Sequence, residues 1–307
     1  MNVLITGACG FVGHFLTDEL LQAGHSVSGF DLTAENAPPG IFRCMTGSIT
    51  DAAAVAAAVA ETLPDACIHL AGIASPPVGR LHPERMLNTN ILGTAHILEA
   101  LHAAAPACRF LLASTAYVYG CPKTDVPIHE SSALRPNGIY AVSKAAADLM
   151  TLAYAQDYQM HTMTARAANH TGPGQSTDFV VPAFARQIAS IAAGCLEPCI
   201  RVGNLDSERS FMDVRDVVRA YRLLIEKGHA GKAYNVSSPG RVPIRRILET
   251  LAELANVTPR IEVDQDRFRK TDRTPLLDTS LIAKDTGWQQ EFDLRDTLRE
   301  VLHAATP

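Results

Sequence analysis

Short apolar runs alternate with amphipathic stretches through the first half of this 307-residue chain. The runs at about 2–6, 26–31, Ile41–Met45, Asp65–Leu70, Cys108–Ser114 and His161–Ala167 have the length and residue types of buried strands. After the first of them, Val12, Leu16, Leu20 and Ala23 recur at helical spacing, and the pattern stops at Gly24. An alanine-rich helix is predicted over 51–62, with Val55 and Val59 spaced i, i+4, and further helices near 84–105 and 138–157. Such alternation requires right-handed crossovers, and so predicts an α/β fold with a parallel sheet covered by helices on both faces. From about residue 170 the pattern changes. Gly172-Pro-Gly174, Pro182, Pro198, Pro239, Pro243, Pro259 and Pro275 punctuate shorter elements, and arginines become denser, several beside aspartates.

The first strand runs straight into Gly7-Ala-Cys-Gly10-Phe-Val-Gly13 and then into a helix. Strand, glycine-rich turn and helix is the context a dinucleotide fingerprint needs. Gly7 serves the tight turn, Gly10 the approach of a pyrophosphate to the backbone, and Gly13 close packing of helix on strand. The phosphates would lie on free N–H groups at the positive end of that helix. The second strand ends at Asp31, near the distance from the glycines at which a carboxylate accepts both hydroxyls of an adenosine ribose. A carboxylate there repels a 2′-phosphate, so Asp31 favours NAD(H) and leaves NADP(H) open; Arg43 is the neighbouring base in sequence. Gly7, Asp31, Ser48, Ala71-Gly72, Thr115 and Asn169 each follow one of the six strands, where parallel sheets bind their ligands. The fold predicted is therefore a Rossmann-type doubly wound sheet. Residues 1–168 form mainly the NAD(P)-binding domain and 169–307 mainly a smaller substrate-binding lobe, with the chain interleaving between them.

Composition narrows the classes. The chain is 47% hydrophobic and 19% charged, enough for a sizeable core. A net charge of −5 without a basic run gives no footprint for nucleic acid or an anionic membrane. No apolar run approaches the ~20 residues of a membrane span, and a strand starting at residue 2 leaves no room for a leader peptide. Seven scattered cysteines read as reduced thiols, and a cytoplasmic location is expected. Cys195-x-x-x-Cys199 lacks a second ligand pair, so no metal is expected.

Tyr140-Ala-Val-Ser-Lys144 places a phenol and an ammonium one helical turn apart on one face. There Lys144 is expected to lower the Tyr140 pKa from near 10, letting the phenol exchange a proton with a sugar oxygen.

Together the motifs Thr6-Gly-Ala-Cys-Gly-Phe-Val-Gly13, Asp31, His69-Leu-Ala-Gly72, Asn90-Ile-Leu-Gly-Thr94, Ser114-Thr-Ala-Tyr-Val-Tyr-Gly120 and Tyr140–Lys144 resemble the extended short-chain dehydrogenase/reductase superfamily, in its nucleotide-sugar epimerase, dehydratase and reductase branch. The likeness covers essentially the whole chain. It implies Thr115 as the catalytic hydroxyl, Tyr140 as acid/base and Lys144 as the group that holds the nicotinamide ribose. It implies a cofactor site built from Gly7, Gly10, Phe11, Val12, Gly13, Asp31, Ser48, Ile49, Leu70, Ala71, Gly72, Asn90, Ser114, Tyr140, Lys144 and Ala167. Asn169 is implied to touch the substrate diphosphate, and Val180 to contact substrate. Ser48 departs from the Asp usual in the branch, leaving Ile49 as the apolar side of the adenine site. Arg166-Ala-Ala-Asn-His-Thr-Gly-Pro-Gly-Gln175, Phe179-Val-Val-Pro182, Ala185-Arg-Gln-Ile188 and Arg209-Ser-Phe-Met-Asp-Val-Arg-Asp216 look most like GDP-4-keto-6-deoxy-D-mannose reductases. Ser210 and the stretch Arg267–Arg273 depart from the family pattern. Arg209 and Arg269 are read as diphosphate partners, against ion pairs with Asp206 or Asp266.

Dehydratases of this branch need an acid pair directly after the catalytic Ser/Thr, where this chain has Ala116 and Tyr117. The expected reaction is thus NAD(P)H-dependent reduction of the C4 ketone of a nucleotide-linked 4-keto-6-deoxy sugar. A UDP-sugar 4-epimerase is the alternative, and a non-catalytic NAD(H)-binding scaffold the alternative of another class. The resemblance also implies a homodimer packed through the helices near 84–105 and 138–157, with Ile97, Leu101, Leu149 and Leu152 as candidate contacts.

Overall fold

A computed structural model describes residues 1–74, 76–121, 125–265 and 273–306. In chain order, β1 (Asn2–Thr6), α1 (Phe11–Gln22), β2 (Ser26–Asp31), β3 (Arg43–Thr46), α2 (Ala52–Thr62) and β4 (Ala66–His69) come first. Then follow α3 (Pro76–Leu81), α4 (Pro83–Leu87), α5 (Gly93–Ala104), β5 (Arg109–Ala113), α6 (Ile139–Tyr158) and β6 (Thr162–Ala167). The remainder is β7 (Asn169–Thr171), α7 (Val180–Ala192), β8 (Cys199–Val202), β9 (Glu208–Arg209), β10 (Phe211–Asp213) and α8 (Val214–Lys227). After these come β11 (Ala233–Val236), β12 (Val242–Pro243), α9 (Ile244–Ala255), β13 (Arg260–Val263), α10 (Ser280–Thr286) and α11 (Leu294–Ala304).

Seven strands form one parallel sheet in the order β11-β6-β5-β4-β1-β2-β3. The order reverses direction between β1 and β4, which is where a doubly wound sheet opens a crevice. Side-chain alternation sorts the two faces. Val3, Ile5, Ala66, Ile68 and Leu111 join α1 and α8 on one side. Leu4, Cys67, Phe110 and Leu112 join α2, α5 and α6 on the other. A separate apolar cluster made by α7, β8, α9 and α11 builds the C-terminal lobe. α8 and β11 lie beyond residue 168 yet belong to the large sheet and its cover.

The six expected strands are all present: β1 and β2 have the expected bounds, β4, β5 and β6 are shorter by a residue at one or both ends, and β3 starts two residues later, with Ile41 packing against the core from outside it. Leu16 and Leu20 of α1 are buried, but Ala23 is exposed because it terminates the helix. The helix expected near 84–105 is interrupted by a π-helical turn, Asn88–Leu92. In it, the Asn90 amide donates to the Ile73 carbonyl at 3.1 Å and to Ser143 Oγ at 2.9 Å, and its Oδ1 accepts from the Ile73 N–H at 2.8 Å. Ile97 and Leu101 are fully buried in the core, so they offer nothing to a partner; Leu149 is 56% exposed. Among the described residues, no helix is long and apolar enough to cross a membrane and no cluster of three or more His, Cys, Asp or Glu is placed to hold a metal ion.

Candidate active site

Two clefts open beyond the carboxyl ends of the strands and meet at Tyr140. The smaller, of about 440 Å³, is walled by Gly7, Gly10, Phe11, Val12 and Gly13, by Leu70 and Gly72, and by Asn90, Ser114, Thr115, Lys144 and Ala167. The larger, of about 810 Å³, lies between the sheet and the C-terminal lobe and takes in Arg209, Asn204, Arg201 and Arg80. Tyr117, Tyr140, Asn169, Phe179 and Val180 line both.

The glycine-rich turn has no room for larger residues. Gly7 sits at φ +75°, and a Cβ there would lie 2.8 Å from the Ala71 nitrogen. A Cβ on Gly13 would lie 2.2 Å from the Ala8 carbonyl oxygen, so α1 seats directly on the turn only with glycine at that position. Gly10 caps α1 without any side-chain hydrogen bond, which leaves first-turn N–H groups available to an anion. Ser114 Oγ is buried in the same cleft with no partner. A cradle of bare N–H groups plus an unpaired hydroxyl fits a dinucleotide, which brings both phosphates and polar acceptors.

Asp31 closes β2 and accepts from the Cys9 N–H at 2.8 Å and from the Leu32 N–H at 2.7 Å. Asp31, Ser48, Ile49 and Ala71 are not among the residues that wall the smaller cleft. The Ser48 hydroxyl is engaged locally with Thr50. Ile49 is 6% exposed and packs against Gly93 of α5. Arg269 lies outside the described residues, as does Asp266. Asp206 pairs with Arg245 at 3.2 Å.

Thr115 begins a 3₁₀ turn, Ala116–Tyr119, and its hydroxyl accepts from the Tyr117 N–H at 3.3 Å. The Tyr140 phenol stands beside it; burial pushes that phenol up to about 12, while the Thr115 hydroxyl opposes the rise and the nearby Tyr117 adds to it. The direction is opposite to the one expected from the Tyr-x-x-x-Lys spacing. Burial also pushes the Lys144 ammonium down to about 8, against the pull of Asp148, so desolvation outweighs the attraction between neighbours one turn apart. His69, behind Lys144, is held between Thr6 Oγ1 at 2.5 Å and Thr94 Oγ1 at 3.1 Å. Thr94 donates its own proton to the Asn90 carbonyl, which fixes His69 as the Nε2–H tautomer accepting from Thr6. Burial and Lys144 drop its pKa to about 3.

Several wall residues carry no sequence signal that singles them out. Tyr221 reaches the smaller cleft from α8, and along the chain it is one more apolar position of an amphipathic helix. His170 and Gln175 line it too; they fall inside the Asn169–Gln175 block without a spacing of their own. Arg80 and Arg201 stand in the larger cleft among many other arginines.

A family model described as GDP-mannose 4,6 dehydratase matches residues 4–301. The chain is 39% identical over 242 residues to a GDP-6-deoxy-D-mannose reductase of Pseudomonas aeruginosa, covering 78% of this chain and 80% of that one. Among solved structures, RMD from Pseudomonas aeruginosa complexed with NADPH superposes with a TM-score of 0.88 at 33% identity, over 99% of this chain and 98% of the other. The UDP-glucose 4-epimerase of Thermus thermophilus in complex with NAD gives a TM-score of 0.88 at 26% identity, over 99% of both chains.

Proposed function

The chain belongs to the GDP-mannose 4,6-dehydratase family, and from that premise we propose that it reduces the C4 ketone of a GDP-linked 4-keto-6-deoxy sugar with a nicotinamide cofactor. The observation that carries this reading is the position of Tyr140, at the junction of a dinucleotide-sized cleft and a larger one, with Thr115 beside it. When bound, a reduced nicotinamide supplies the hydride. The protein's part is to hold the ketone between Thr115 and Tyr140 and to deliver the proton. A phenol held protonated to about pH 12 suits a donor to the carbonyl oxygen, whereas an oxidation would need it as a base. Lys144, as ammonium below about pH 8, binds the cofactor ribose and stabilises charge developing on the oxygen. Ala116 and Tyr117 provide no carboxyl group next to Thr115, so elimination of water lacks its acid and base. Asn169 and Val180 contact the sugar nucleotide, and Arg209 contacts its diphosphate.

Asp31 favours NAD(H) over NADP(H) in this reading. The base nearest in sequence, Arg43, is paired with Glu61, which leaves the carboxylate's repulsion of a 2′-phosphate in force. The same carboxylate, with the likeness to an NAD-bound epimerase, favours a UDP-sugar 4-epimerase as the second reading. The same reading takes the protein as a cytoplasmic homodimer packed through α5 and α6, and the exposed Val142 and Leu149 of α6 support that face.

Nicotinamide absorbance on mixing the protein with GDP-4-keto-6-deoxymannose, with NADH and NADPH in parallel, tests this. Oxidation of either cofactor is expected, faster with NADH. No loss with either, together with NAD retained through purification and interconversion of UDP-sugars, would replace the reductase with the epimerase.

A further inference from the structure

The catalytic pair continues into a buried ion pair. Tyr140, Lys144 and Asp148 recur every four residues and share one face of α6. The Asp148 carboxylate is fully buried and is gripped by Arg166 of β6: Nε donates to Oδ2 at 3.1 Å and Nη2 to Oδ1 at 2.7 Å. The third nitrogen, Nη1, donates to the Tyr119 phenol oxygen at 2.8 Å and to the Glu130 carbonyl at 2.9 Å. Tyr119 closes the 3₁₀ turn that starts at Thr115. Its hydroxyl donates in turn to Asn235 Oδ1 of β11 at 2.8 Å. One side chain therefore ties the helix of Tyr140 and Lys144, the turn of Thr115 and the strand beneath them both.

We propose, resting on the reductase reading, that Arg166 is a positioning residue: its planar fork sets the distance between Thr115 and the Tyr140–Lys144 face of α6, with Asp148 and Tyr119 as the two arms. Arg166 lines neither cleft, so it acts only through the residues it holds. Stability is a poor reason for such a pair, because apolar replacement of a buried ion pair is often neutral or stabilising. What apolar packing lacks is direction. Four donated bonds from one plane fix three segments relative to each other, whereas a lysine would carry the charge without the fork. Burial works against the guanidinium charge, but the hydrogen bonds and charge of Asp148 outweigh it and raise its pKa.

The test compares wild type with a paired replacement, Arg166→Met with Asp148→Leu, which removes both charges together and leaves neither stranded. The paired variant is expected to melt near the wild-type temperature while kcat falls about 100-fold and KM for the nucleotide sugar stays within about threefold. Native-like melting with kcat within about twofold of wild type would reduce the pair to scaffolding. Should the paired variant fail to fold, Tyr119→Phe removes one arm by a single atom. It is expected to lower kcat about tenfold with KM unchanged, and unchanged kcat overturns the proposal. Arg166→Lys restores the charge alone; recovery of kcat in that variant also overturns it. If wild type binds NADH or NADPH but turns over no 4-keto sugar, the reductase reading falls and the clamp does not. The clamp is then judged by nicotinamide fluorescence: dinucleotide affinity several-fold weaker in the paired variant supports it, and equal affinity overturns it.

Discussion

Tyr140 shows how a local motif can mislead about chemistry while marking the right place. A phenol and an amine one turn apart suggest mutual tuning, but both are drawn into the fold's interior and desolvation decides both shifts. Tyr140→Phe is expected to cut turnover by orders of magnitude with an unchanged melting temperature; activity near wild type would remove Tyr140 from the mechanism. The Lys144 shift makes a second prediction. Its folded pKa, about 8, lies below the ordinary 10.5, so between these values the unfolded chain holds a proton that the folded protein has released. Folding stability therefore gains from Lys144 as pH rises through that window, while dinucleotide binding loses the ammonium. The KM for cofactor is expected to climb above about pH 8 and to lose that limb in Lys144→Met; a flat profile from pH 7 to 10 would exclude the ammonium as a cofactor contact. What sequence made legible at this scale was identity: Gly7, Gly10, Gly13, Thr115 and Tyr140 all stand on cleft walls. The contacts of Arg166 and the cleft position of Tyr221 were illegible, because they depend on partners 18 and more residues away that periodicity does not register.

Elements were legible where a buried face imposes a period. Val55 and Val59 repeat on the inner face of α2, and Leu4 faces away from Val3 and Ile5 on β1 as alternation requires. The π-helical turn at Asn88–Leu92 has no such signature, because it is confined to a single turn between two helices and too short to show a period of its own. Strand β11 is also invisible: Ala-Tyr-Asn-Val is too short and too polar to stand out. Two helix starts that look alike in sequence differ in energy. Asp51 caps α2 from the surface, accepting from the N–H groups of Ala53 and Ala54. Asp213 caps α8 while buried, and also accepts from Arg215 and from Thr297 of α11. Asp51→Ala is expected to cost about 1 kcal/mol, and Asp213→Ala about 2–3 kcal/mol, because it also removes the buried carboxylate shared by Arg215 and Thr297 and leaves them only Glu300 and the Asp293 carbonyl. Denaturant unfolding of both variants checks the contrast; equal losses would show that burial of Asp213 contributes nothing.

For the whole molecule, a ligand that binds only the folded state at about 100 times its Kd adds about 2.7 kcal/mol of stability. NADH is therefore expected to raise the melting temperature by several degrees, and more than NADPH at equal concentration; the reverse order would mean that Asp31 does not govern the choice. The α/β class and the position of the crevice followed from strand–helix alternation, but the way the chain shares its two cores did not. Tyr221 and Leu224 of α8 pack over Leu16 and Leu20 of α1 and over β1, although more than 200 residues separate them. During synthesis on a ribosome, the first 168 residues emerge with that face of the sheet covered by α1 alone and with no β11 to pair with β6. They have most of a sheet and half of its cover, so a fragment ending there is expected to stay open to proteolysis and to chaperones. The dinucleotide cleft takes wall residues from Phe211 and from Tyr221 of α8, so the nascent chain passes most of its length before that wall is complete.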